Sequence, residues 1–89
     1  MSQNIVVGIS DLNVARNGDI LVTYALGSCI GICLYDETVK VAGLSHIMLP
    51  TSEGFNPQGK EIWKFADTAI PDLIKKMELQ MKLHFLYLT

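Results

Sequence analysis

The sequence predicts an α+β fold, with largely antiparallel β-sheet layers and a helix packed on one face. Three observations carry that prediction. The first half of the chain alternates short β-branched and apolar runs with turn signals. The period changes near Ile62, after which apolar residues recur at helical spacing. Strands followed by a helix, rather than strands alternating with helices, leave that helix to cover one face of a sheet.

Asn4 to Ile9 is rich in isoleucine and valine and reads as a first strand. Ser10 to Asn13 is a turn signal, and Leu12, Val14 and Arg16 form a short second strand with alternating faces. Asn17-Gly18 predicts a two-residue hairpin, because such turns need positive φ and both residues accept it. Asp19 to Thr23 returns as the third strand. Leu26-Gly27-Ser28 then breaks the pattern, with Gly27 permitting a backbone conformation barred to other residues. Cys29 to Tyr35 is apolar on both faces, which fits a central strand covered on both sides. Periodicity alone leaves a buried helical segment open for so short a run.

Asp36-Glu37-Thr38 turns the chain, and Val39 to Leu49 pairs back as a long strand ended by Pro50. Thr51 to Lys60 is polar and glycine-containing, a mobile loop long enough to be a rim or lid. Ile62, Phe65, Ala66, Ala69, Ile70, Leu73, Ile74 and Met77 then make one apolar helical stripe, with Lys64, Asp67, Asp72, Lys75 and Lys76 opposite. The stripe is core rather than a cofactor box, and Asp67 charges the helix's first turn. Pro71 removes one backbone hydrogen bond and bends the helix or starts a new turn. From Glu78 the pattern decays. The tail extends the helix or adds a terminal strand, with His84 exposed and Phe85, Leu86, Tyr87 and Leu88 left for a self-association contact.

At 89 residues the chain makes one small domain, burying roughly 60–65% of its unfolded surface. A net charge of −2 and the lack of a basic stripe argue against nucleic acid or an anionic membrane as main partner. The longest apolar run, Ile30 to Tyr35, is too short for membrane insertion. The start lacks a positive n-region and a small-residue cleavage site, so cytoplasmic residence is expected.

Two cysteines, Cys29 and Cys33, stand four residues apart. In a strand they share a face but sit about 13 Å apart, too far for a disulfide. Structural zinc normally takes four ligands in tighter pairs, so no metal site is expected from these thiols and one distant histidine. The Gly27-Ser28 pair delivers Cys29 to the mouth of the apolar run, and His46 follows one hairpin later. A thiol nucleophile with an imidazole base is one reading of that arrangement. The other is structural: free cysteine is among the most buried residue types, and a histidine among Leu44, Ile47 and Met48 is usually a core residue. Cys33 is expected in the core. Threonine in a strand ordinarily serves β-propensity.

Leu26-Gly27-Ser28-Cys29, with Thr23 upstream and Ser45-His46-Ile47-Met48-Leu49-Pro50 downstream, resembles the CheD family of chemoreceptor glutamine deamidases. Val7-Gly8-Ile9 and Phe65-Ala66-Asp67-Thr68-Ala69-Ile70 extend the similarity in the same order and spacing. The resemblance implies a cysteine amidohydrolase, without metal or organic cofactor, that converts glutamines on cytoplasmic chemoreceptor helices to glutamates. It implies Cys29 as nucleophile, His46 as base, Thr23 as the residue orienting the imidazole, and Gly27 and Ser28 as backbone support for an oxyanion. It also implies a CheC-like phosphatase as partner. Residues 1–77 would be the N-terminal part of a CheD-like domain, and residues 78–89 an unmatched tail. A second half of the family's fold, including a Gly-Gly-Ala segment, has no counterpart here, so an incomplete version of that fold is expected. The alternatives are a truncated, catalytically weak or inactive binding module for a CheC-like phosphatase or receptor, and a structural or oligomerising fragment.

Overall fold

The computed structural model describes residues 3–16, 18–24 and 27–88, with side-chain surroundings up to residue 81. Five strands precede one long helix: β1 (Asn4–Val6), β2 (Asp11–Ala15), β3 (Ile20–Val22), β4 (Ile30–Asp36) and β5 (Val41–Ile47), then α1 (Ala66–Leu88). A 3-10 helix over Gly59–Lys64 leads into α1. The α+β prediction holds, with an antiparallel three-stranded sheet of order β2-β5-β4 and a separate parallel pair, β1-β3.

Strand β5 is the centre of the molecule. It is flanked by β2 and β4, and six of its seven residues are buried. Side chains alternate across a strand, so Val41, Gly43, Ser45 and Ile47 share one face and Ala42, Leu44 and His46 the other. The first face meets α1. Val41 packs with Leu12, Leu73 and Met77 in one buried cluster. At Gly43 a Cβ would lie 2.8 Å from Met77 Sδ and 2.9 Å from Leu73 Cδ1, so the missing side chain sets how closely the helix approaches. Of the expected stripe, Ala69, Leu73 and Met77 on α1 and Phe65 just before it are buried, whereas Ile74 is exposed.

The expected hairpin across Asn17-Gly18 is not how the second and third strands pair. The chain does turn there, with Gly18 at φ +96° and the Asp19 N–H bonded to the Arg16 carbonyl at 3.0 Å. The strands then part: β2 joins β5, whereas β3 pairs in parallel with β1. Asn17 itself lies outside the described residues. A turn signal fixes local dihedrals, but the sheet each strand joins is decided by where its apolar side chains find cover.

The apolar run from Cys29 to Tyr35 is an edge strand, not a central one. Among the described residues β4 pairs only with β5, and Ile30 and Tyr35 are exposed. Cys33 is likewise exposed rather than in the core. Helical structure begins in two steps, since Phe65 is extended at φ −115° and ψ 140° between the 3-10 helix and α1. Its strand-like bridge to Leu49 and the Ala66 N–H bond to the Leu49 carbonyl (2.9 Å) pin that junction to the end of β5. Pro71 lies inside α1, which continues through it as one helix to Leu88. The side-chain expectations for His84, Phe85, Leu86, Tyr87 and Leu88 lie outside the described residues.

The loop after Pro50 is tied down at its start. Asp67, in the first turn of α1, accepts from the Ser52 N–H at 3.0 Å and the Ser52 hydroxyl at 2.9 Å. These donors, the Ser52 N–H foremost, hold its carboxyl below the usual carboxylate range, with desolvation opposing them. Phe55 stacks at a tilt on Phe65, with ring centroids 5.1 Å apart.

Candidate active site

His46 lies near the end of β5 and is wholly buried, 0% exposed, on the face turned away from α1. Its cross-strand neighbours are Asp11 on β2 and Gly31 on β4. Its main chain is anchored by the Ser10 N–H, which donates to the His46 carbonyl at 2.9 Å. Thr23, just past the end of β3, comes within hydrogen-bond reach: Thr23 Oγ1 lies 2.8 Å from His46 Nδ1. The same hydroxyl donates to the Val7 carbonyl at 2.7 Å.

That chain of contacts sets the tautomer. A threonine hydroxyl has one hydrogen, and here it goes to Val7. The Thr23 oxygen is then an acceptor toward the imidazole, so Nδ1 carries the ring proton and Nε2 carries a lone pair. Nε2 is buried and has no hydrogen-bond partner among the described residues. A buried polar atom without a partner is uncommon and costly, which marks this nitrogen for a role that packing does not explain.

Cys29 sits in a bend between the Gly27–Ser28 turn and β4, and is half-buried. Gly27 takes φ +50°, the left-handed conformation that glycine accepts most readily. Cys29 precedes Gly31, the partner of His46, by two residues. The bend at Cys29 leads directly into β4, whose Gly31 lies opposite His46. Gly31 adds no side chain between them. Among the described residues no hydrogen bond joins Cys29 to His46. Of the five residues singled out from sequence, the structure thus joins Thr23 to His46 directly and places Gly27, Ser28 and Cys29 at the adjacent strand end. Leu26 lies outside the described residues.

Ser28 opens the other way, onto a cavity of about 350 Å³ that is lined otherwise by apolar side chains, among them Ile30, Ile32, Ile47, Leu49 and Ala66. This cavity lies on the α1 side of the sheet. The Val7 carbonyl is the functional group that sequence reasoning missed. A backbone acceptor has no residue-type signature, and only its place beside Thr23, sixteen residues on, reveals it.

The fold and site define a small α+β domain in which a part-buried threonine is hydrogen-bonded to a buried histidine, with a cysteine at the adjacent strand end. Comparison with known proteins narrows it. The chain is 55% identical over 76 residues, 85% of its length, to the protein named Probable chemoreceptor glutamine deamidase CheD of Clostridium botulinum strain Hall, and these residues make up 46% of that relative. The protein of the same name from Clostridium novyi is 55% identical over 74 residues, 83% of this chain and 45% of the relative. No protein-family profile matches. Over its matched residues the chain is similar to proteins of the CheD family, and it spans about half the length of the curated relatives it matches. Among the described residues no helix is long and apolar enough to cross a membrane.

Proposed function

We propose that the chain carries the nucleophile and base of a cysteine-dependent protein-glutamine deamidase acting on cytoplasmic helices of chemoreceptors. The observation that carries this reading is the Val7–Thr23–His46 hydrogen-bond chain, which leaves His46 Nε2 buried and unpartnered among the described residues, opposite the strand that Cys29 leads into.

The chemistry follows from those positions. His46 Nε2 takes the Cys29 thiol proton, and the thiolate, the reactive form of cysteine, attacks the side-chain amide carbon of a glutamine. The amide oxygen gains the negative charge of the tetrahedral adduct. Backbone N–H groups near Ser28 and Cys29 receive it, a contribution of about 3–4 kcal/mol per donor when preorganised. The C–N bond then breaks, Nε2–H delivers its proton to the departing nitrogen, and ammonia leaves a thioester. A water molecule, deprotonated by Nε2, adds to the thioester carbon. The C–S bond breaks, yielding glutamate and restoring the cysteine. Thr23 holds the imidazole in the Nδ1–H tautomer throughout, the part that a carboxylate plays in other triads. As a neutral group it stabilises the imidazolium less than a carboxylate would.

The test is the rate of Cys29 alkylation by iodoacetamide against pH, followed by release of ammonia from a receptor fragment. The expected wild-type rate levels off near neutral pH, and in His46→Ala it rises instead toward about pH 8.5 as for an ordinary thiol. Ordinary thiol behaviour in both proteins refutes the reading.

A second reading is favoured by two observations. No hydrogen bond closes the Cys29–His46 gap among the described residues, and the chain matches less than half of each relative. On this reading the chain is a binding module that docks on a receptor or a CheC-like phosphatase without turnover. It predicts saturable binding together with ordinary thiol reactivity. Apo catalytic contacts often tighten only with substrate, so the open gap alone does not decide between the two.

A further inference from the structure

The turn between β1 and β2, residues 7–10, holds a backbone conformation that the mechanism above leaves unexplained. Ser10 takes φ +56°, in the left-handed region, where residues with a side chain are uncommon. Gly8 stands two residues earlier with open space around it, and its φ lies outside that region. The turn therefore puts its left-handed residue at a serine and not at the glycine beside it. Such conformations persist where the surrounding structure over-determines them, and they gather at functional sites.

What over-determines Ser10 is His46. The Ser10 N–H donates to the His46 carbonyl at 2.9 Å, and the next residue, Asp11, is the partner of His46 in the β2–β5 register. Two residues facing one make a β-bulge, here of the form whose left-handed first residue is ordinarily glycine. The other end of the same turn is fixed as tightly. Val7 is 1% exposed, and its N–H donates to the Val22 carbonyl at 2.8 Å. Its carbonyl accepts from Thr23 Oγ1 at 2.7 Å, and that oxygen lies 2.8 Å from His46 Nδ1. One turn thus grips one histidine twice, by its main chain at Ser10 and by its ring, through Thr23, at Val7. Only Gly8 and Ile9 separate the two grips, so their spacing is set by the dihedral angles of the turn. An ordinary negative φ at Ser10 would redirect the chain and move the Val7 carbonyl relative to the His46 backbone.

We propose that Ser10 is a positioning residue for His46: its left-handed backbone sets the bulge that keeps the Val7 carbonyl, Thr23 and the imidazole in line. The role lies in the main chain, so glycine can replace serine there, whereas a β-branched residue cannot. The effect on the ring stands by itself, and its consequence for catalysis rests on the deamidase reading. With Ser10 forced out of the left-handed region, Thr23 no longer receives the Nδ1–H. The ring proton is then shared between the two nitrogens, and fewer molecules hold a lone pair at Nε2 for the Cys29 proton.

The test uses the full 89-residue chain carrying His84→Gln, which leaves His46 as its one histidine. The imidazole tautomer is read by nitrogen NMR, and Cys29 alkylation is followed against pH. Ser10→Gly should keep the single Nδ1–H tautomer and the parent pH profile. Ser10→Val should give mixed tautomers and lower the alkylation rate at neutral pH about tenfold, as a thiol reverting toward a pKa of about 8.5 would. Lys40 supplies the control, being the other non-glycine residue at positive φ among the described residues, at φ +57° in the turn that enters the opposite end of β5. Lys40→Val should lower the urea midpoint as Ser10→Val does, and leave tautomer and profile untouched. Ser10→Ala, a milder strain, takes the place of Ser10→Val if the latter does not fold, and should shift both readouts in the same direction. The proposal is overturned if the folded variant keeps a single Nδ1–H tautomer, or if Lys40→Val disturbs the tautomer as much, which would make the effect one of stability alone. Ordinary thiol behaviour in the parent, with a tautomer that still depends on Ser10, would refute the deamidase reading and support the positioning role.

Discussion

The two faces of β5 treat buried polar groups in opposite ways. On the α1 side the Ser45 hydroxyl is wholly buried and has no partner among the described residues, in a layer otherwise closed by Val41, Gly43, Leu73 and Met77. On the far side its neighbour His46 is equally buried, but one ring nitrogen is tied through Thr23 to the Val7 carbonyl and only the other is left unpartnered. The first face is built by packing, which tolerates a stray hydroxyl as a penalty. The second is built by orientation, which presents one lone pair and holds the rest of the ring still.

The contrast is tested most strongly by Leu73→Ala. Leu73 is 0% exposed and fills the space above Gly43. Truncation should destabilise the domain by about 2–5 kcal/mol in urea unfolding, a large share of what so small a chain has. Thr23→Val is the corresponding change on the other face. It leaves a buried Nδ1–H without its acceptor, at an expected cost of about 1–3 kcal/mol. It should also erase the pH profile of Cys29 alkylation, and Thr23→Ser should restore both.

A smaller effect lies at the base of α1. Trp63, the only tryptophan, donates its indole N–H to Asp72 Oδ2 at 2.7 Å, and Lys76 lies 3.3 Å from the same oxygen. The indole bond first, then Lys76, holds the Asp72 carboxyl below the usual carboxylate range, with burial opposing. A depressed folded value means that the stabilisation is in place above the unfolded pKa and is lost as pH falls through the folded one. Trp63 fluorescence should therefore change on acidification below about pH 4. Asp72→Asn should remove that step and cost about 1 kcal/mol near neutral pH. The smallest change, Ser45→Ala, should leave stability unaltered or raise it by up to about 1 kcal/mol, since it removes an unpartnered hydroxyl without altering volume much. A clear loss would mean that the α1 face, too, relies on a polar contact.

How much of this was legible in the sequence follows the range of the signals. The helical stripe ending at Met77 and the hairpin of β4 with β5 rest on spacing and local turns, and both stand. The pairing of β3 with β1 rather than β2 could not be read, because Gly18 dictates a turn and not a destination. The position of β4 was misread for an instructive reason. Apolar residues on both faces report what a strand needs, not what lies beside it among the described residues. Thr23 and His46, 23 residues apart, were joined in advance only through resemblance to a family. The carbonyl behind Thr23 emerged only when two sheets were brought together.

The thread from Val7 to Thr23 to His46 also runs between two units of unequal size. The parallel pair β1-β3 contributes three residues from each strand, with Val6 and Ile20 exposed, whereas His46 belongs to the well-buried centre of the larger sheet. A three-residue pairing is the kind of element that opens locally at a free energy well below that of global unfolding. Each such opening would release the imidazole from its tautomer lock while β5 stays folded. On the proposed mechanism, the imidazole's tautomer would thus depend on the local opening equilibrium of β1, and mild denaturant should abolish the pH profile of Cys29 alkylation before the sheet itself begins to melt.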